Sequence, residues 1–148
     1  MAFKSAMAAV CQNVLVERDG VPSLIRIVDL FSVSREIVLP IDGALPPIPM
    51  SLYINIKLSC DDADPHTLEF SLERPDGESK TSTVIDKTPT PPGGIPEADR
   101  SIVVAAQLGV EPRQFGLHRF HILFDGEKVT EASFFIKQVV SEAESESN

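Results

Sequence analysis

Alternation of apolar and polar residues is the feature that most restricts what this chain can become. In "SLYINIKLS", Leu52, Ile54, Ile56 and Leu58 fall on one parity, and Tyr53, Asn55 and Lys57 fall on the other. "HTLEFSLE" repeats the pattern, with Leu68, Phe70 and Leu72 against Thr67, Glu69 and Ser71. Side chains in a strand alternate between two faces, so such runs read as half-buried antiparallel strands. "SIVVAAQL" follows with Ile102, Val104, Ala106 and Leu108 on one side. "LIRIVDLFSV" is apolar on both parities and predicts a central strand. No amphipathic helix of useful length competes. "KSAMAAVCQNVLV" has a helix-like opening but runs into β-branched residues.

Turn chemistry agrees. Asp-Gly occurs at 19–20, 42–43, 76–77 and 125–126. Between alternating segments that pair is a hairpin signal, because glycine accepts the positive φ of primed turns. "PIDGALPPIPM" (40–50) and "PTPPGGIP" (89–96) are rich in Pro and Gly, and Pro is excluded from central strands. Both read as long connections. The count is about eight strands, near 8–17, 23–33, 51–60, 66–73, 80–87, 101–109, 117–124 and 129–139. Short, regularly spaced strands predict an all-β fold, an immunoglobulin-like antiparallel β-sandwich. One domain over residues 1–140 is expected, with "SEAESESN" (141–148) as an acidic, disordered tail.

Charge narrows the partners. The net charge is -9. Nucleic-acid affinity rests on Lys and Arg neutralising phosphates, so neither nucleic acid nor an anionic membrane surface is an expected partner. No run approaches the ~18 apolar residues of a membrane helix, and "MAFKSAMAAVCQ" is weak as a secretory signal. The expectation is a cytoplasmic protein with Cys11 and Cys60 as reduced thiols.

The stretch "FGLHRFHILFDGEKVTEASFFIKQ" holds two of the three histidines. His118 shares its parity with Phe120, Ile122 and Phe124, and His121 shares the opposite one with Leu117, Arg119 and Leu123. The two rings therefore face opposite ways and cannot build one site. His118 stands where such sandwiches place a corner residue that bonds back to the backbone, which predicts a structural role. His121 is expected on a solvated face.

With these markers in place, the chain resembles an uncharacterised family of small bacterial β-sandwich proteins, a domain of unknown function. The similar stretches are "CQNVLVERDGVPSLIRIVDLF", "PPIPMSLYINIKLS", "HTLEFSLERPDGE" and "FGLHRFHILFDGEKVTEASFFI". They span roughly residues 8 to 137. All are fold markers, so the resemblance implies a sandwich and assigns no functional residue. His118 departs from it, since a Tyr is commoner there.

No Gly-x-Ser-x-Gly, HExxH or phosphate loop is present, so no enzyme and no cofactor is expected. Two functional readings remain. The first is a non-enzymatic module for protein binding. Tyr53 and Phe135 both fall on outward parity, and immunoglobulin-like order puts their strands in one sheet, where they would form a partner-binding patch. The alternative is a Ca²⁺- or small-ligand-binding sandwich using Asp61, Asp62 and Asp64 in "SCDDADPHT". Zinc on Cys60 and His66 lacks further ligands. Asp125 is a candidate fourth carboxylate, but in that same order its turn lies at the opposite end of the sandwich.

Overall fold

The computed structural model describes residues 3–16, 22–34, 47–79, 82–111 and 114–139. The strands are β1 (Phe3–Val16), β2 (Pro22–Ile27), β3 (Leu30–Ser34), β4 (Ile48–Leu58), β5 (His66–Glu73), β6 (Thr83–Lys87), β7 (Arg100–Val110), β8 (Gly116–Phe124) and β9 (Glu127–Val139). They form two sheets, β2-β1-β4-β7 and β3-β9-β8-β5-β6. All pairings are antiparallel except β3 with β9. A parallel pairing of the edge strand β3 with the last strand β9, and a five-stranded face opposite a four-stranded one, make an immunoglobulin-like β-sandwich.

The core lies where alternation put it. Leu52, Ile54, Ile56 and Leu58 face Leu68, Phe70, Leu72, Phe120, Ile122, Phe134 and Ile136, all buried. Each such side chain contributes roughly 1.5–3 kcal/mol by leaving water. Phe134 is a hub: Phe31 meets it edge-on at 5.6 Å, and the His118 ring stacks on it at 5.0 Å.

Three expectations need correction. β1 begins at Phe3, not near residue 8, so the helix-like opening is strand. Residues 23–33 are not one central strand but two edge strands, one in each sheet. The chain crosses between sheets at Val28 and Asp29. The Val28 amide still bonds Val10 O at 2.8 Å, while Asp29 O already accepts from Phe135 N at 2.8 Å. Within β2, Arg26 has a positive φ of 53°, although Ile27 still pairs with Cys11. Both parities are apolar without both being inward: Leu24 and Phe31 pack against different clusters, while Ile25, Ile27 and Leu30 are exposed.

The third correction concerns 40–50. Residues 40–46 lie outside the described residues, but Ile48–Met50 are already β4. Pro49 is tolerated because β1 pairing ends at Cys11 with Ser51, leaving only β7 beside it. The 89–96 segment is a connection, with a single 3-10 turn at Pro92–Gly94. Of the four Asp-Gly pairs, 19–20 and 42–43 fall outside the described residues, as does the 141–148 tail. Asp125 and Gly126 have φ of 48° and 85°, as a type I′ turn requires, and join β8 to β9 directly.

Candidate functional site

The sandwich end that carries the β4–β5 loop brings His66, Asp62 and Asp125 together. His66 opens β5, and its hydrogen-bonded neighbour β8 runs the other way, with Leu68 opposite Phe124. The start of β5 therefore sits beside the β8–β9 turn. Asp125 N donates to Thr67 O at 2.8 Å, and Thr67 N donates to Asp125 Oδ1 at 2.9 Å. His66 Nδ1 lies 2.6 Å from Asp125 Oδ2, and its Nε2 lies 3.0 Å from both oxygens of Asp62. The ring packs on Phe124 at 4.8 Å, and Phe124 in turn meets Phe3 of β1 at 5.8 Å.

This overturns the expectation that the Asp61–Asp64 loop and Asp125 lie at opposite ends. The first three strands together take the first position of the immunoglobulin order, with β1 beside β4 and β3 beside β9, so β4 holds the second. The loop after it and the turn after β8 belong to one end.

The chemistry follows from the ring. Neutral imidazole donates from only one nitrogen, and both nitrogens here face carboxylate oxygens, which suits the doubly protonated cation. Burial works against that charge, but Asp125 and Asp62 outweigh it and raise the His66 pKa above the ordinary value. The hydrogen bond to His66 lowers the Asp62 pKa. Burial pushes the Asp125 carboxyl up, yet the Thr67 amide and His66 bring it below its usual range. A histidine that activates a nucleophile needs that nucleophile on its second nitrogen. Here a second carboxylate holds the place, and the three side chains clasp a loop to a hairpin turn.

The candidate Ca²⁺ ligands do not face a common point. Asp61 accepts from the Ser59 hydroxyl, and that bond lowers its pKa. Asp62 is held by His66 and by the Asp64 amide at 3.1 Å, and Asp64 itself is exposed. Among the described residues, no group of three or more His, Cys, Asp or Glu side chains is spaced to hold a metal ion. Cys60 is a free thiol whose carbonyl accepts from Arg100 Nε at 2.9 Å.

The predicted aromatic patch is taken apart. Tyr53 lies on β4 and Phe135 on β9, in different sheets. Tyr53 is only 3% exposed, although it stands on the outward parity of β4. It packs with Ala9 and Cys11, and Val14, Leu24 and Val103 lie against that group. Its hydroxyl accepts from Asn55 Nδ2 at 2.8 Å.

Phe135 is outward as expected, 43% exposed. The register sets Leu30 beside it on β3 and Leu117 beside it on β8, at 45% and 37% exposure. Three large apolar side chains thus form one row across three strands of the five-stranded sheet. Outward parity marked Leu117 in the sequence, whereas Leu30 was hidden in the run that changes sheet. Charged pairs continue the same face: His121 Nε2 lies 2.6 Å from Glu73 Oε2, and Arg119 Nε lies 3.3 Å from Glu131 Oε2. His121 is therefore paired rather than simply solvated.

His118 is 1% exposed. Its Nδ1 lies 3.0 Å from Gly116 O, the backbone bond expected of a corner residue. Burial lowers its pKa, so the ring is neutral, and its Nε2 has no partner among the described residues.

No protein-family model matches the sequence, and no curated protein matches it either. Among solved structures it is similar to an immunoglobulin-like protein from Pseudomonas aeruginosa, at 17% identity over 88% of this chain and 96% of that one, TM-score 0.38. It is also similar to a CARDB domain from Pyrococcus furiosus in complex with di-metal ions, at 9% identity over 94% and 93%, TM-score 0.42. A third likeness is to an alkylpurine DNA glycosylase from Pseudomonas fluorescens bound to DNA with an abasic-site analogue, at 9% identity over 88% of this chain, TM-score 0.48. The chain spans 30% of that glycosylase's length. All three likenesses are distant, and the sandwich is read from the chain's own two sheets. The resemblance to small bacterial β-sandwich proteins likewise stands at the level of architecture. Among the described residues no helix is long and apolar enough to cross a membrane.

Proposed function

We propose that this chain is a non-enzymatic module that binds a protein partner through the outer face of its five-stranded sheet. The observation that carries this reading is the row Leu30–Phe135–Leu117. Contiguous exposed apolar surface rimmed by polar residues marks interaction sites, whereas scattered single hydrophobics do not. Here Ser133 and Lys137 flank Phe135 along β9, and the Arg119 and His121 ion pairs border the row. An aromatic centre with aliphatic neighbours is the composition of a binding hot spot. The four-stranded sheet offers Met7, Leu15, Ile25 and Ile27, but their register partners are Asn55, Ser23, Asn13 and Cys11, so none stands opposite another. They do not form one row.

The test is affinity capture from native-host lysate with wild-type bait and with a Phe135→Glu, Leu117→Glu bait that keeps its β circular dichroism. A partner retained by the first and lost by the second supports the module and its face. A partner held equally by both removes this face from the account.

A further inference from the structure

Among the described residues β7 ends the four-stranded sheet, with β4 as its strand partner and one further bridge to Thr90. The register is regular from Arg100 to Val110, so backbone direction alternates without a break. Ser101 exchanges bonds with Thr90, N to O at 2.9 Å and O from N at 3.0 Å, on the side away from β4. The odd-numbered residues of β7 therefore turn their amides and carbonyls outward. Lys87 Nζ satisfies Val103 O at 3.1 Å. Beyond it, Ala105, Gln107 and Gly109 present outward backbone groups with no partner among the described residues, and all three are exposed.

Sheet edges are normally blunted by charge, proline or a bulge. The stretch Ser101–Val110 has no charged residue and no proline, in a chain whose net charge is -9. Beside it lies a slot of about 110 Å³ between the sheets. Leu108 and Val110 line it from β7, and Phe70, Leu72 and Phe120 line it from the other sheet. The exposed residues Thr83 and Gly109 bring it to the surface. A residue opposite Leu108 on an added strand would point to the same side as Leu108, toward that slot.

We propose that the open edge of β7 takes an extended, uncharged peptide segment by strand addition, anchored by one apolar side chain in the slot. Main-chain bonds would supply affinity and the slot specificity, as in other strand-addition sites. The slot decides against a second copy as the occupant. In a β7–β7 pairing the copy's inward residues, Val104 and Ala106 among them, already sit between their own sheets. A segment from another protein has its side chain free. This surface is separate from the Phe135 row and does not rest on it.

The experiment pans phage-displayed short random peptides against the full chain and measures the enriched peptides by fluorescence anisotropy. The expected result is enrichment of uncharged, β-prone sequences with one Leu, Ile, Val or Met position. Their affinity should fall at least ~10-fold in Gln107→Pro, which removes an outward amide without touching the β4 ladder, and in Thr83→Glu, which puts charge at the slot mouth. Bound peptide should also slow amide exchange at Ala105, Gln107 and Gly109. Should Gln107→Pro misfold, Thr83→Glu and the exchange pattern decide. Absence of enrichment, or binding unchanged with those amides unprotected, overturns the proposal. A dimer that Gln107→Pro converts to monomer overturns it in favour of self-pairing.

Discussion

The two outer faces of the sandwich each carry one aromatic residue at outward parity, and they have opposite fates. Tyr53 is sealed against Ala9 and Cys11 beneath Val14, Leu24 and Val103. Phe135 stands in the open between Leu30 and Leu117. The β1–β2 hairpin accounts for the difference, because it supplies most of what covers Tyr53. Parity says which side of a strand a residue takes. Whether that side is surface depends on what else packs there.

The sharpest way to break this comparison is to truncate neighbours. Phe134→Ala should cost about 4 kcal/mol, since it empties the hub beneath His118 and Phe31. Tyr53→Ala should cost about 3 kcal/mol, a core-sized loss from a residue on an outer face. Urea denaturation measures both. A Tyr53→Ala cost within about 0.5 kcal/mol, the range of surface substitutions, would show that the cover is loose.

The clasp at the sandwich end gives a smaller effect with a signature in pH. His66 has a raised pKa in the folded state, so its contribution is fully present below the ordinary value of about 6.5 and is lost as pH rises through the folded value. Asp62 and Asp125 have lowered values, so their contribution is present above about 3.9 and is lost as pH falls through theirs. His66→Gln should therefore lose roughly 0.5–1 kcal/mol, mostly between about pH 4 and 6.5, with the gap closing on either side. Thermal melts of both proteins across pH measure it. A gap that does not vary with pH would mean that the ring acts only by packing on Phe124.

Phe135→Ala completes the series with the smallest effect on stability, within about 0.5 kcal/mol in the same urea titration. Phe134 and Phe135 are chain neighbours, so the contrast isolates facing from sequence position. A cost near that of Phe134→Ala would mean that Phe135 is a packing residue and that the row is not free surface.

Much of this was legible in the sequence. Alternation located the core strands, and Asp125-Gly126 gave the last hairpin. The errors about the site trace mainly to one segment. Residues 23–33 looked like a single strand, so residues 51–60 were given the third place in the immunoglobulin order instead of the second. Tyr53 and Phe135 then appeared to share a sheet, and the Asp61–Asp64 loop appeared far from Asp125. The apolar residues Leu24, Ile25, Ile27, Leu30 and Phe31 occupy both parities, but only Leu24 and Phe31 pack, against different clusters, so alternation could not mark where the chain changes sheet. The burial of Tyr53 had no signal in alternation either. It depends on register, which sets Ala9 and Ala105 on either side of it, and on contacts from Leu24.

The most direct test of the central claim places a photo-cross-linking amino acid at Phe135 and, separately, at Met7. Both positions are exposed, one on each outer face. Irradiation in native-host cells should give a discrete protein adduct from position 135 and none from position 7. An adduct from position 7 alone, or the same adducts from both, would contradict the assignment of binding to the five-stranded face.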